Sequence, residues 1–139
     1  MNLEKARQLR AQARGNAPVR FNPKDLIGAH PLVITGIKEE KRFYKYTQCY
    51  EWFHFIKLRP VNQNIKFGYS YNVREAWTED SKFLSLLEEF ELDVNEDGEL
   101  DLSVLIGETV LAEIEEYQDG ERTYFNVVNI SKYSPEVAA

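Results

Sequence analysis

The chain has 139 residues, of which 43% are hydrophobic and 13% aromatic, enough for one compact core, and it carries a formal net charge of −6. No apolar run approaches the roughly 18 residues needed to cross a bilayer, so no membrane segment is expected, nor a signal peptide at the Met-Asn-Leu-Glu start. The single Cys49 has no internal disulfide partner, which suits a reducing cytoplasm.

The modest net charge conceals a division. Residues 1–75 carry 14 Lys/Arg and 6 Asp/Glu, a balance of +8, whereas residues 76–139 carry 3 and 17, a balance of −14. A basic face opposite an acidic one would leave room for a polyanionic partner despite the overall acidity; mutual neutralisation across the fold is the plainer alternative.

Along the chain, residues 1–24 read as a basic arm. It begins with a short helix from Leu3 to Arg14, closed by Gly15 and Pro18, carrying Lys5, Arg7, Arg10 and Arg14 with Arg20 just beyond. The main domain is expected over 25–133 and a loose tail over 134–139. Three strands are expected in "PLVITGI", "YEWFHFIKL" and "IKFGYSYNV", the last alternating Ile65, Phe67, Tyr69, Tyr71 and Val73 with polar or small residues. A helix is expected in "TEDSKFLSLLEEFEL", with Thr78 as N-cap and Phe83, Leu84, Leu86, Leu87 and Phe90 at helical spacing. "LDLSVLIGE" predicts a short helical step ending at Gly107. The strands "TVLAEIEEY" and "RTYFNVVNI" then form a hairpin about Asp119-Gly120.

This order of elements predicts a mainly β fold with one long helix: an OB-fold-like five-stranded barrel, its helix between the third and fourth strands, plus the short basic N-terminal helix. A generic α+β sheet would give the same string.

The richest chemistry lies in "KEEKRFYKYTQCYEWFHFIKLRP", where seven aromatics interleave with six cations. Cations that follow a phosphate backbone and rings that stack on bases are the means by which single strands are held. The expected nucleic-acid-binding residues are Arg42, Tyr44, Lys45 and Tyr46 in the first loop, Phe53, Phe55, Lys57 and Arg59 on one face of the second strand, and Lys66 on the third. Packing of Phe53 and Phe55 beneath the N-terminal arm is the structural alternative. The acidic "EIEEYQDGERTYF" would repel phosphate and suits a protein partner instead.

"DVNEDGELDLSV" imitates the start of a calcium loop, with Asp93, Asn95, Asp97 and Asp101 in ligand positions and Gly98 at the bend. Val104 stands where a bidentate glutamate is needed, so an acidic turn is expected and no metal is assigned. His30 and His54, the two histidines, fit no Cys/His metal spacing, and there is no Gly-rich phosphate loop or nucleophile elbow. Neither enzymatic activity nor a cofactor is expected.

The run "FLSLLEEFELDVNEDGELDLSVLIGETVLAEIEEYQDGERTYFNVVNISKYSP" resembles the C-terminal half of phage-encoded OB-type proteins, some regarded as single-stranded-DNA-binding. Leu105-Ile106-Gly107 and Tyr124-Phe125-Asn126-Val127-Val128 match their "LIG"-like step and aromatic-Asn final strand. The resemblance implies a single-stranded nucleic-acid partner, such as DNA in phage replication or recombination, in the cytoplasm of a bacterial host. It carries over no ligand residues. The end "SKYSPEVAA" departs from the acidic, Phe-terminated tail of bacterial single-strand binders, so a general coating role is not expected. The alternative is an interaction module or inhibitor whose acidic half docks a protein; self-association stays open.

Overall fold

The computed structural model describes residues 2–16, 22–62, 65 and 67–134. Helix α1 spans Leu3–Asn16, and the Asn2 side chain caps it by accepting from the Lys5 N–H at 2.7 Å. Leu3 and Leu9 of this helix are exposed. Arg20, the remainder of 17–21 and residues 135–139 lie outside the described residues.

The strands are β1 Gly28–Tyr44, β2 Cys49–Pro60, β3 Tyr69–Arg74, β4 Thr109–Asp119 and β5 Arg122–Lys132, with helix α2 at Lys82–Glu89 between β3 and β4. They form one antiparallel sheet in the order β3-β2-β1-β4-β5. β1 is central and very long. Its first part pairs with β4 from Gly28 to Val33, its later part with β2 from Leu32 to Tyr44, and a bulge between Ile34 and Gly36 bends it where the partner changes.

Alternation puts Leu32, Ile34, Ile56, Leu58, Val110 and Ile114 on one side, all essentially sealed from water. Phe83, Leu86 and Leu87 of α2 pack against that side, as do Leu102 and Leu105 of a 3-10 turn at Leu102–Leu105. The N–H of Gly107 donates to the Ile34 carbonyl at 2.8 Å and that of Ile34 to the Glu108 carbonyl at 2.9 Å, tying the "LIG" step to β1. Gly107 sits at φ +95, a conformation glycine adopts freely.

The expectation of an OB-fold-like barrel with one long helix is overturned. The hydrogen-bonded sheet is open, with β3 and β5 as its edges. The edges come within 8 Å, Cα to Cα, but form no ladder. The opening between them is a cleft of about 450 Å³ lined by Tyr71 from β3, Ser85 and Leu86 from α2, and Val128 and Ile130 from β5.

The helix is short because both ends of the predicted segment are spent on turns. Thr78 accepts through its carbonyl from the Ser81 N–H at 3.2 Å, with Asp80 in the left-handed region at φ 65. Ser81, not Thr78, is the N-cap: its Oγ accepts from the Leu84 N–H at 3.1 Å and donates to the Ala76 carbonyl at 2.7 Å. At the other end Glu91 turns left-handed at φ 54, letting the Leu92 N–H donate to the Leu87 carbonyl at 2.8 Å.

Two strand expectations also change. "KEEKRFY", expected as a loop, belongs to β1, leaving only residues 45–48 as the connection. The third strand starts at Tyr69, so Ile65 and Phe67 precede it. The Asp119-Gly120 hairpin forms as expected: Asp119 pairs with Arg122, and Gly120 supplies the positive φ of 62. Among the described residues no helix is long and apolar enough to cross a membrane.

The capping geometry makes a specific prediction. Ser81→Ala lowers unfolding free energy by about 1 kcal/mol in urea titrations, whereas Thr78→Ala stays within about 0.5 kcal/mol of the parent, as an exposed site without a cap does.

Candidate nucleic-acid interface

The register of β1, β2 and β3 assembles one outward face. Lys38, Glu40 and Arg42 of β1 stand opposite Phe55, Phe53 and Glu51 of β2, and Arg74 and Asn72 of β3 stand opposite Phe53 and Phe55 on the other side. Directly opposed residues share a face, so the cations of β1 and β3 flank the rings of β2.

The rings form a connected row. Phe53 and Phe55 stack with centroids 6.4 Å apart, Tyr44 meets Phe53 edge-on at 5.8 Å, and Tyr46 meets Tyr44 edge-on at 5.2 Å. Cations cover them: the Arg42 guanidinium lies 4.4 Å from the Phe55 centroid, that of Arg74 4.7 Å from Tyr44, and Lys45 Nζ 5.0 Å from Tyr46.

Carboxylates hold the two arginines in place. Arg42 donates to Glu40 at 3.0 Å, and Lys38 approaches the same oxygen at 3.4 Å. Arg74 donates to Glu51 at 2.7 Å, and Glu51 also accepts from the Thr47 hydroxyl at 2.6 Å. The Arg42 hydrogen bond, then that of Lys38, lowers the Glu40 carboxyl from its ordinary range; Thr47, then Arg74, does so for Glu51. Both effects outweigh the opposing influence of desolvation.

Of the residues expected from sequence, this face brings together Arg42, Tyr44, Phe53 and Phe55, with Lys45 and Tyr46 in the adjoining turn. Phe55 is only 9% exposed, and its cover is Arg42, so it is the floor of the face rather than an open stacking platform. Lys57 and Arg59 continue along β2 as exposed side chains and line a cleft of about 390 Å³ with Thr35, Gly36 and Ser70. Lys66 lies outside the described residues.

The sequence reading missed Lys38 and Arg74 as members of the face; only the pairing of β1 and β3 with β2 reveals them. It also missed that Phe43, Tyr50 and Trp52 are exposed on the opposite side of the β1–β2 hairpin, where Phe43 meets Tyr50 edge-on at 5.6 Å. Aromatic alternation signals a strand there but not that the hairpin runs past its core.

Three side chains of the acidic loop bond to its own backbone. Asn95 Oδ1 accepts from the N–H groups of Asp97 and Glu99 at 3.0 and 2.9 Å, Asp93 accepts from Val94 N–H at 2.8 Å, and Asp101 caps the 3-10 turn through Ser103 N–H at 2.9 Å. The Ser103 hydroxyl, then the Ser103 N–H, holds the Asp101 carboxyl below its ordinary range. Local turns and caps of this kind shape the loop.

No family model matches this sequence, and no curated protein matches it.

The pairing predicts a measurable titration. Glu51 supports the fold above the ordinary carboxylate value of 4.5 and loses that contribution only as pH falls through its lower folded value. In Thr47→Val the carboxyl resonance of Glu51 titrates closer to 4.5 than in the parent, as followed by NMR.

Proposed function

We propose that this protein binds single-stranded nucleic acid non-catalytically through the outward face of β1, β2 and β3. The observation that carries the reading is the row Tyr46-Tyr44-Phe53-Phe55 with Arg42 and Arg74 laid over its rings, extended by the exposed Lys57 and Arg59. A strand would run along β2, its phosphates against Lys57 and Arg59 and its bases against Tyr44, Tyr46 and the guanidinium planes. Among the described residues neither Lys57 nor Arg59 has a carboxylate partner, which leaves both charges for phosphate. The resemblance of residues 83–135 to phage-encoded proteins, many of unassigned role and some regarded as single-stranded-DNA-binding, supports DNA as the ligand, and a role in phage replication or recombination within a bacterial cytoplasm.

A second reading rests on the far end of the β4–β5 hairpin. Glu115, Glu116, Asp119 and Glu121 are exposed there beside Tyr117 and Tyr124, whose rings lie 6.5 Å apart. An acidic surface with two accessible tyrosines suits a basic protein partner.

Fluorescence anisotropy of a labelled oligonucleotide of about 30 nucleotides, at low and near-physiological salt with duplex as control, tests the first reading. Saturable binding that prefers the single strand is expected. Lys57→Ala with Arg59→Ala reduces the salt slope by roughly 1.4, two phosphates at about 0.7 each. Tyr46→Ala, at an exposed turn, costs about 1–3 kcal/mol, as loss of one stacked base does. Absence of binding at low salt sinks this reading and leaves the acidic hairpin as the functional surface.

A further inference from the structure

We infer that Glu39, His54 and Glu75 form a binding site for a zinc-like divalent transition-metal ion, on the opposite side of the sheet from the proposed nucleic-acid face and independent of it. The three residues come from neighbouring strands. Glu39 of β1 stands directly opposite His54 of β2, His54 opposite Val73 of β3, and Glu75 two positions on, hence on the same side. The Glu75 N–H donates to the Trp52 carbonyl at 2.8 Å, which fixes its backbone just past the end of β3. One donor atom from each side chain lies within 4.8 Å of the other two.

Zinc–nitrogen and zinc–oxygen bonds of about 2.0–2.2 Å put tetrahedral ligand atoms roughly 3.3–3.6 Å apart, so closure on an ion needs a shift of only about 1 Å. Glu39 can supply it, because its side chain is exposed and, among the described residues, pairs with no lysine or arginine.

The other two ligands already face one another across a hydrogen bond, whose proton the ion would displace and whose span would open to about 3.3–3.6 Å. His54 is 5% exposed, and its ring stacks on Phe83 at 5.2 Å with 9° between planes. Its Nε2 lies 2.9 Å from Glu75 Oε1, and Glu75 Oε2 accepts from Trp77 Nε1 at 3.3 Å, the kind of outer support that aims a ligand carboxylate. The remaining surroundings favour a cation. Two carboxylates converge on a ring that is neutral when it ligates, and a divalent ion compensates both charges.

The donor set selects the class of ion. One imidazole nitrogen and two carboxylate oxygens suit zinc and its first-row neighbours, whereas calcium takes six to eight oxygens and magnesium a near-octahedral oxygen shell. The triad opens into a cavity of about 510 Å³ that Trp77, Val94, Gly98 and Leu100 also line, leaving room for an ion to enter and for water at the fourth position. The acidic loop supplies a wall of this cavity.

The test is calorimetric titration of the full chain with Zn²⁺, and separately with Mg²⁺ and Ca²⁺, combined with NMR of the histidine ring nitrogens. One equivalent of Zn²⁺ is expected to saturate the protein, to raise its melting temperature and to shift the ring signals of His54 but not those of His30. Glu39→Gln and Glu75→Gln each weaken binding at least about tenfold, the loss that removal of even an outer partner can cause, while His30→Gln leaves it unchanged. Glu39→Gln keeps the test decisive if Glu75→Gln fails to fold, since Glu39 is exposed and outside the core. No saturable Zn²⁺ binding, binding untouched by Glu39→Gln, or unmoved His54 signals would overturn the inference and leave the His54–Glu75 contact as a structural hydrogen bond alone.

Discussion

β1 is hydrogen-bonded along both edges, and its two ladders overlap only at Leu32 and Val33. Everything else in the molecule follows from that overlap. Leu32 is sealed at the crossing and Ile34 just beyond it, because they face β2 on one side and β4 or the "LIG" step on the other. The bulge at Thr35 follows the end of the β4 ladder at Val33, and among the described residues β1 continues with β2 alone as its strand partner. From the Lys41–Trp52 pair onward β1 and β2 form a two-stranded ribbon that carries side chains away from the core. The cross-strand pairs Arg42–Glu51, Lys41–Trp52 and Phe43–Tyr50 hold it together in place of a buried face.

The end of the core can be followed along the inner side of β2. Leu58 and Ile56 are fully buried, His54 is 5% exposed, Trp52 44% and Tyr50 68%. A titratable ring therefore sits at the last position where the protein still excludes water. A buried imidazole needs a partner there, and Glu75 provides one from the neighbouring strand. The core offers Phe83 as a flat support, and from the solvent side comes the exposed carboxylate of Glu39. The two sides of one ribbon thus differ in chemistry: rings under cations outside, carboxylates about an imidazole inside.

Sequence periodicity made part of this legible. β2 alternates clearly, so the division of Phe53, Phe55, Lys57 and Arg59 from Ile56 and Leu58 could be read directly, as could the glycine turn of the last hairpin. "KEEKRFY" could not be read as strand, because both faces of the projecting ribbon are solvated and no apolar alternation is required of it. The helix start was misplaced because Thr78, Glu79 and Asp80 look like a cap and first turn, and nothing local says that Asp80 turns left-handed. The long helix and closed barrel failed for a related reason: apolar spacing counts the residues that must be buried, but not those spent on turns, nor whether two edge strands reach hydrogen-bonding distance. Arg74 and the Glu39–His54–Glu75 group were invisible since their members meet only through strand register.

The outer face also shows why its aromatic content alone overstates what a ligand can reach. Phe55 already has a cation over one side, and Arg42 and Arg74 already have carboxylate partners. A phosphate approaching either arginine competes with Glu40 or Glu51, and a base reaching Phe55 must first displace Arg42. Both exchanges return little net energy, because the incoming contact replaces one of the same kind. On the proposed reading, the electrostatic gain on binding would therefore come chiefly from Lys57 and Arg59, while Tyr44, Tyr46 and the outward planes of the two guanidinium groups offer surface that can be covered without breaking an existing pair. The Glu40–Arg42 and Glu51–Arg74 pairs then act as preorganisation: they hold two long side chains flat against the rings before any ligand arrives, which reduces the side-chain entropy that binding would otherwise cost.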